Sequence, residues 1–179
     1  FVVPAMFQRL LRLPDDVKHR YDLTSLRHVV VAGAPCAPEL KAAMIDWWGT
    51  VIYEYYGSTE LGAITFASSE DAITRPGTVG RAVATARVAV LDDAGKPRPS
   101  GEIGEIYGRR DDLPDFTYLN RADARAEAGA GDLVSMGDVG FMDADGYLFL
   151  SDRKTDMIIS NGVNIYPAQI EAAILAHPD

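Results

Sequence analysis

The sequence has little cysteine, no long apolar run and no excess of positive charge. Its single cysteine, Cys36, excludes an internal disulfide and a paired-cysteine metal site, and it favours a reducing, cytoplasmic compartment. No apolar run approaches the roughly 20 residues that a membrane-spanning helix needs. The 17 lysines and arginines against 26 aspartates and glutamates give a formal net charge of −9, so the surface as a whole repels nucleic-acid phosphates. We therefore expect neither a membrane span nor a nucleic-acid partner.

What the sequence does contain is typical of a folded globular protein. Its hydrophobic fraction is 47% and its charged fraction is 24%, and 179 residues are enough for one domain or parts of two. The chain begins Phe1-Val2-Val3-Pro4, with neither an initiator methionine nor the basic start of a signal peptide. We expect an internal segment of a longer protein.

The first half alternates strand and helix patterns. The run 28–33 is continuously apolar, as in a buried strand of a parallel sheet. Pro38 suits the start of a helix and Gly49 its end, and a second strand is predicted over 50–56. This order forms a βαβ unit, and such sheets bind ligands beyond the carboxyl ends of their strands. Here those ends are Gly33-Ala34-Pro35 and Gly57-Ser58-Thr59-Glu60.

After about residue 70 the pattern changes to short β-like segments separated by dense turn signals. Such spacing predicts a small antiparallel or barrel-like module. We expect strands over 87–91, 103–107, 137–142, 147–151 and 157–160, a surface helix over 120–128, a polar linker over 152–156 and a helix over 167–176.

Three segments carry groups that suit a nucleotide, although each also has an ordinary structural explanation. In 53–62, an aromatic ring can stack on a base, threonine can donate to phosphate and glutamate can hold Mg²⁺, yet a tight turn favours the same residues. In 136–140, Asp138 can accept the hydroxyls of a ribose or simply form an aspartate turn. In 151–167, Arg153 and Lys154 also fit a charged linker before a helix.

In this order and spacing, the segments resemble the adenylate-forming superfamily of acyl-CoA synthetases, firefly luciferase and peptide-synthetase adenylation domains. The last matching stretch resembles acyl- and aryl-CoA ligases more than peptide-synthetase domains. The matching stretches are VVVAGAPCAPEL (29–40), YEYYGSTELG (53–62), GTVGRAV (77–83), GEIGEIYGR (101–109), FTYLNRADARAEA (116–128) and GDVGFMDADGYLFLSDRKTDMIISNGVNIYPAQIE (138–171).

The resemblance implies a role for individual residues in binding ATP. Tyr56 would stack on adenine, with Gly57 beside it in the nucleotide site and Gly33, Ala34 and Pro35 walling the other side. Thr59 would contact the phosphates, Glu60 would bind Mg²⁺, and Asp138 would hold the ribose hydroxyls with help from Arg153. Thr155 falls at the hinge between the two domains, where the family usually has aspartate or lysine.

The resemblance also implies the fold and the reaction. The expected class is α/β, with residues 1–85 ending the α/β subdomain, 86–153 forming a β-barrel-like subdomain and 154–179 starting the α+β C-terminal domain. The parent enzyme would join a small carboxylic acid, of fatty or aryl type, to CoA with ATP and Mg²⁺. The family's phosphate loop and catalytic lysine fall outside the sequence, so the segment alone should be inactive. Alternatives are a non-catalytic domain that binds an adenine nucleotide or an acyl adenylate, and a peptide-synthetase adenylation domain; a homodimer is left open.

Overall fold

The computed structural model describes residues 1–160, 163–167, 170 and 174. It divides into two compact units, of which the first comprises Phe1–Tyr56 and Thr65–Arg81. The second comprises Gly57–Ile64 and the described residues from Ala82 onward. Helices and strands are mixed along the chain, which confirms the α/β class. None of the helices formed by the described residues is long and apolar enough to cross a membrane.

The early elements confirm the predicted βαβ unit. Strand β1 pairs in parallel with β2, and Val29 lies opposite Ile52. The sheet has the order β1-β2-β3-β4. The helices are α1 (Pro4–Leu11), α2 (Asp15–Lys18), α3 (Pro38–Trp48) and α4 (Ser69–Thr74), and the strands are β1 (Val29–Val31), β2 (Ile52–Ser58), β3 (Gly62–Ala67) and β4 (Arg81–Ala82).

The core of the first unit lies where α1 and α3 pack against the start of the sheet. Phe7 and Met44 are fully buried there, and the ring of Phe7 meets Trp48 edge-on at 5.8 Å between centroids. Cys36 belongs to the same core. Burial, reinforced by the nearby charge of Glu54, raises the pKa of Cys36 to about 12, so its thiol stays protonated and unreactive at neutral pH.

Strand β2 begins and ends two residues later than the sequence indicated, and it leads directly into a strand that the sequence analysis missed. The prediction placed a strand over 50–56, whereas β2 ends at Ser58 and three residues, 59–61, connect it to β3. So short a connection joins neighbouring antiparallel strands. Glycine and serine are common in turns, but at Gly57 and Ser58 pairing with β3 overrides that local preference.

The second unit contains the expected barrel-like module. Strand β8 pairs on one side with β6 and on the other with β7 and β9, all antiparallel. Register shifts interrupt the β6–β8 and β8–β9 ladders, and such bulges bend a sheet. The elements are β5 (Ala86–Leu91), β6 (Gly104–Arg110), α5 (Ala122–Glu127), β7 (Gly129–Ala130), β8 (Leu133–Met142), β9 (Leu148–Arg153), and the separate pair β10 (Ile158–Ser160) and β11 (Val163–Ile165).

Several boundaries in this unit differ from the prediction, most of all those of β8 and β9. Strand β9 runs to Arg153, so the predicted linker over 152–156 shrinks to a turn at 154–156. Strand β8 begins at Leu133 rather than at 137. Polar side chains suggested a linker at 152–156, but ladder pairing of β9 with β8 holds the backbone extended as far as Arg153. At the start of β8, pairing with β6 and β7 extends the strand back to Leu133. The predicted helix over 167–176 lies largely outside the described residues.

A buried ion pair joins α3 to β2 in the first unit. Lys41 and Glu54 are only 3% and 5% exposed, and Lys41 Nζ donates to Glu54 Oε2 at 2.5 Å and to the carbonyl of Thr78 at 3.2 Å. Burial raises the pKa of Glu54, and the charge and hydrogen bond of Lys41 oppose that rise. The pair therefore fixes the packing of α3 on the sheet, since either charge alone would be costly to bury.

Replacing Lys41 with methionine should destabilise the first unit by about 3–5 kcal/mol, because Glu54 would be left buried without a partner. The double variant Lys41→Met/Glu54→Leu should recover most of that loss. Urea unfolding of the intact protein, followed by amide hydrogen exchange in α3 and β2, measures both effects. Lys96→Met, at an exposed lysine in a turn, is the control.

The same variant should acquire a pH dependence. In Lys41→Met nothing opposes the raised pKa of Glu54, so the folded state binds a proton more tightly than the unfolded chain does. Stability should then fall as the pH rises above the usual pKa of glutamate. A Lys41→Met protein as stable as the parent at all pH values would contradict the importance of the pair.

Candidate functional site

A cavity of about 400 Å³ opens in the second unit. Its wall is formed by the end of β2 and the turn after it, by β6 and β8, by the segment around α5, and by the residue after β9. The lining is polar, with three carboxylates, two tyrosines and one lysine. The lining residues are Ser58, Glu60, Glu105, Tyr107, Tyr118, Glu127, Ala128, Val134, Ser135, Met136, Gly137 and Lys154.

Glu60 lies in the turn between β2 and β3 and presents an ionised carboxylate to this cavity. Its own backbone N–H, together with hydrogen bonds from Tyr118 and Ser58, holds the pKa of Glu60 below its usual value despite partial burial. The hydroxyl of Tyr118 donates to Glu60 Oε1 at 2.9 Å, and this bond raises the pKa of Tyr118. A carboxylate has about four acceptor positions, so Glu60 retains capacity for a further ligand.

A second carboxylate in the same cavity is differently surrounded. Glu105, on β6, accepts hydrogen bonds from Ser135 Oγ at 2.5 Å, Tyr107 Oη at 3.1 Å and Lys154 Nζ at 2.7 Å. Burial alone would raise the pKa of Glu105, but the bonds from Lys154 and Ser135 outweigh it and keep that pKa below its usual value. Glu105 is therefore ionised, and unlike Glu60 it already holds a cation, the ammonium of Lys154.

Two of the predicted ribose-binding residues meet on adjacent strands. Asp138 on β8 lies opposite Arg153 on β9 in the ladder, and Arg153 Nε is 3.8 Å from Asp138 Oδ1. Asp138 is 19% exposed and Arg153 is 75% exposed at the side chain. Gly137, just before Asp138, has φ of +72°, a left-handed conformation that glycine adopts without strain. The glycine thus falls in the part of β8 where the ladder with β6 is irregular, just before Asp138.

The other predicted residues are divided between the two units. Gly33, Ala34 and Pro35 form an exposed loop after β1 in the first unit, as the sequence predicted. Tyr56 also belongs to the first unit, but it is only 9% exposed. In the second unit Gly57 lies within β2, and Thr59 is exposed in the turn beside Glu60.

Thr155 lies in the turn that follows β9. Its side chain is exposed, and its hydroxyl donates to Asp156 Oδ1 at 3.1 Å. The backbone N–H of Asp156 bonds to the carbonyl of Arg153 at 3.1 Å, which closes the turn.

Sequence reasoning missed the groups around Glu105 and the partner of Glu60. Ser135, Tyr107 and Lys154 come from three separate elements and carry no motif in common. One signal was available in the sequence. Glu105 and Tyr107 are two residues apart in a predicted strand, so their side chains lie on the same face. The register of β6 with β8 then puts Tyr107 opposite Ser135. Tyr118 lies 58 residues from Glu60, and only the folded chain brings the two together.

Of the groups that the resemblance implies, Mg²⁺ can be tested against the donor set. Within the described residues, no three His, Cys, Asp or Glu side chains cluster as a metal-ion site. Mg²⁺ bound with a nucleotide commonly takes only one or two carboxylates and completes its shell with phosphates and water. An ionised Glu60 facing a cavity fits that requirement.

Comparison with known proteins decides the family. A model described as "AMP-binding enzyme" matches residues 1–113. The chain belongs to this family. It is 35% identical to the 2-succinylbenzoate–CoA ligase of Geobacillus kaustophilus over 181 aligned positions, which cover 99% of the chain and 35% of that relative. The chain therefore spans about a third of such a relative, and the match confirms the resemblance to acyl- and aryl-CoA ligases.

Solved structures of the family have the same fold. The amide bond synthetase McbA from Marinactinospora thermotolerans superposes with a TM-score of 0.91 at 34% identity, covering 100% of this chain and 37% of that one. O-succinylbenzoate coenzyme A synthetase from Bacillus subtilis, in complex with ATP and magnesium ion, gives 0.83 at 28% identity, covering 99% and 36%.

Gly57 is a steric requirement of the hairpin that carries Glu60. A Cβ at position 57 would lie 1.9 Å from the carbonyl oxygen of Gly62, so Gly57→Ala must push the two strands apart. We expect a loss of about 3 kcal/mol in the free energy of unfolding, measured by chemical denaturation of the intact protein.

Gly95→Ala is the matched control, because a Cβ there meets nothing within 4 Å although φ is +74°. It should cost about 1 kcal/mol through backbone strain alone. Equal losses in the two variants would show that the approach of Gly62 does not constrain position 57.

Proposed function

We propose that the whole protein is an ATP-dependent, AMP-forming ligase that joins a carboxylic acid, fatty or aromatic, to CoA. The observation that carries this proposal is the family match over residues 1–113 together with the superposition on the ATP- and magnesium-bound synthetase. The first step would join the acid to AMP with release of pyrophosphate. The second would transfer the acyl group to the thiol of CoA.

Residues of the second unit supply the proposed contacts to the phosphates and the ribose. Glu60 supports a magnesium role because it is ionised and faces the cavity. Thr59 is exposed beside it and offers a hydroxyl donor. Asp138 offers acceptors for the ribose hydroxyls, and the guanidinium of the neighbouring Arg153 lies 3.8 Å from its carboxylate. Bound Mg²⁺ would stabilise the negative charge that develops on the phosphates.

The adenine contacts would come from the first unit. We assign them to Tyr56 and to the exposed loop Gly33-Ala34-Pro35. Gly57, which belongs to the second unit, would provide close backbone approach. Since Tyr56 is 9% exposed, stacking would use the small part of the side chain that faces solvent. The loop follows β1 at the carboxyl end of a parallel strand, which is where ligands of such sheets bind.

We assign Thr155 as the hinge between the two half-reactions. It is exposed in the turn between β9 and β10, and turn residues at element ends commonly absorb such changes. In this proposal residues 1–85 end the α/β subdomain, 86–153 form the barrel-like subdomain and 154–179 start the C-terminal domain. We place the enzyme in the cytoplasm, as its single cysteine suggests.

One comparison supports an alternative in which an amine, instead of CoA, accepts the acyl group. The amide bond synthetase McbA superposes with a TM-score of 0.91, and its name describes formation of an amide. An amine would then replace the thiol of CoA as the nucleophile that displaces AMP. The adenylate-forming half-reaction would be the same in both cases.

Measuring the two half-reactions separately tests the proposal and its alternative. The intact protein is incubated with ATP, Mg²⁺ and a panel of aromatic and aliphatic acids, and pyrophosphate release is recorded. CoA or a panel of amines is then added, and thioester or amide is quantified. We expect pyrophosphate release with at least one acid and thioester with CoA. Amide without thioester would favour the alternative, and no pyrophosphate release with any acid would refute ligase activity.

Glu60→Gln should slow acyl-adenylate formation about 100-fold or more while ATP binding changes little, because a metal contact that matters most in the transition state is lost. Single-turnover pyrophosphate release and ATP titration of the intact protein measure the two quantities. Glu127→Gln, the same change at an exposed glutamate in the same cavity, should have little effect. Equal rates in the parent and the Glu60→Gln protein would remove the magnesium role.

A further inference from the structure

The residue just before the proposed hinge is held to the barrel-like sheet by its side chain. Lys154 Nζ donates to Glu105 Oε2 on β6 at 2.7 Å, across 49 residues of sequence. The Lys154 side chain is 48% exposed, whereas that of Glu105 is 14% exposed. An exposed ion pair contributes little because both side chains are free to move. In this pair only the Lys154 side chain is free to move, because the Glu105 side chain is largely buried.

The carboxylate of Glu105, which accepts the hydrogen bond from Lys154, is also held by other residues. Ser135 on β8 and Tyr107 on β6 both donate to Glu105, so its orientation does not depend on the lysine. Such support from neighbouring groups makes a charge-assisted bond directional as well as favourable. Glu105, Ser135 and Tyr107 therefore form a preorganised binding site for one ammonium group.

The main chain of Lys154 is held at the same place. Its backbone N–H bonds to the carbonyl of Gly137 on β8 at 2.9 Å, which extends the β8–β9 pairing by one residue. The next backbone bond along the chain, from Asp156 to Arg153, is local to the turn. The sheet therefore holds the chain up to Lys154, and the turn at Thr155 begins immediately afterwards.

We propose that Lys154 is a positioning residue whose bond to Glu105 fixes the stationary end of the hinge at Thr155. This inference rests on the proposed two-step function, because only a rotation between half-reactions needs such a fixed end. With Lys154 held, rotation is confined to the bonds that follow it. Without it, the last residues of β9 also move, and the moving domain loses a defined orientation for the second step.

The experiment compares Lys154→Met, Glu105→Gln and the double variant in the intact enzyme. Acyl-adenylate formation should stay within about twofold of the parent, and acyl transfer to the acceptor should slow about tenfold. The double variant should be no slower than either single one, since both remove the same bond. Lys154→Arg, which keeps a cation, should restore most of the transfer rate. Lys96→Met and Glu102→Gln, at exposed positions of the same unit, are the controls.

Amide hydrogen exchange over residues 152–157 gives a readout that does not depend on activity. Exchange there should rise about tenfold in Lys154→Met and Glu105→Gln and not in the controls. Unchanged exchange would overturn the anchoring role even if the protein proved to have no ligase activity. Faster exchange with both half-reactions slowed equally would reduce Lys154 to a structural contact, and additive effects in the double variant would show that the two residues act separately.

Discussion

The antiparallel pairing of β8 is the constraint on which the second unit depends. This ten-residue strand is hydrogen-bonded along both edges, so its register fixes residues of three neighbouring strands at once. Asp138 is brought opposite Arg153 on one side, and Ser135 reaches Glu105 on the other. A one-residue slip would turn every side chain of β8 to the opposite face, and both arrangements would be lost together.

A protein with a formal net charge of −9 binds a polyanionic nucleotide only through local groups. The cavity beside Glu60 shows how little positive charge the described part of the chain offers there. Its one lysine, Lys154, is already paired with Glu105. Under the proposed function, binding of a triphosphate would then rely on a metal ion, backbone amides and hydroxyl donors such as Thr59. The acidic surface does not oppose this, since fields of distant exposed charges are screened within about 10 Å at ordinary salt.

The sequence predicted the βαβ unit well because its signals are local: an apolar β-branched run, a proline at the start of α3 and Gly49 at its end. It also indicated most strands of the barrel-like module and the position of Asp138 beside Arg153, the latter through resemblance. It failed where tertiary pairing overrides local chemistry, as at Gly57, which has turn character but lies within β2. It could not predict that Lys41 is buried against Glu54, because a lysine on a helix is ordinarily exposed.

Two half-buried carboxylates of the cavity, Glu60 and Glu105, show why position alone does not assign a metal ligand. Glu60 and Glu105 both line the cavity, and both have a lowered pKa. The donors differ: Glu60 is stabilised by its own backbone N–H and neutral hydroxyls, whereas Glu105 holds the ammonium of Lys154. A cation approaching Glu105 must displace Lys154 or lie beside a like charge, which is unfavourable. At Glu60 no such cation is in place among the contacts described, so the negative charge there is available. In the proposed function, a divalent ion entering the cavity would therefore bind at Glu60, and Glu105 would hold the residue just before the proposed hinge.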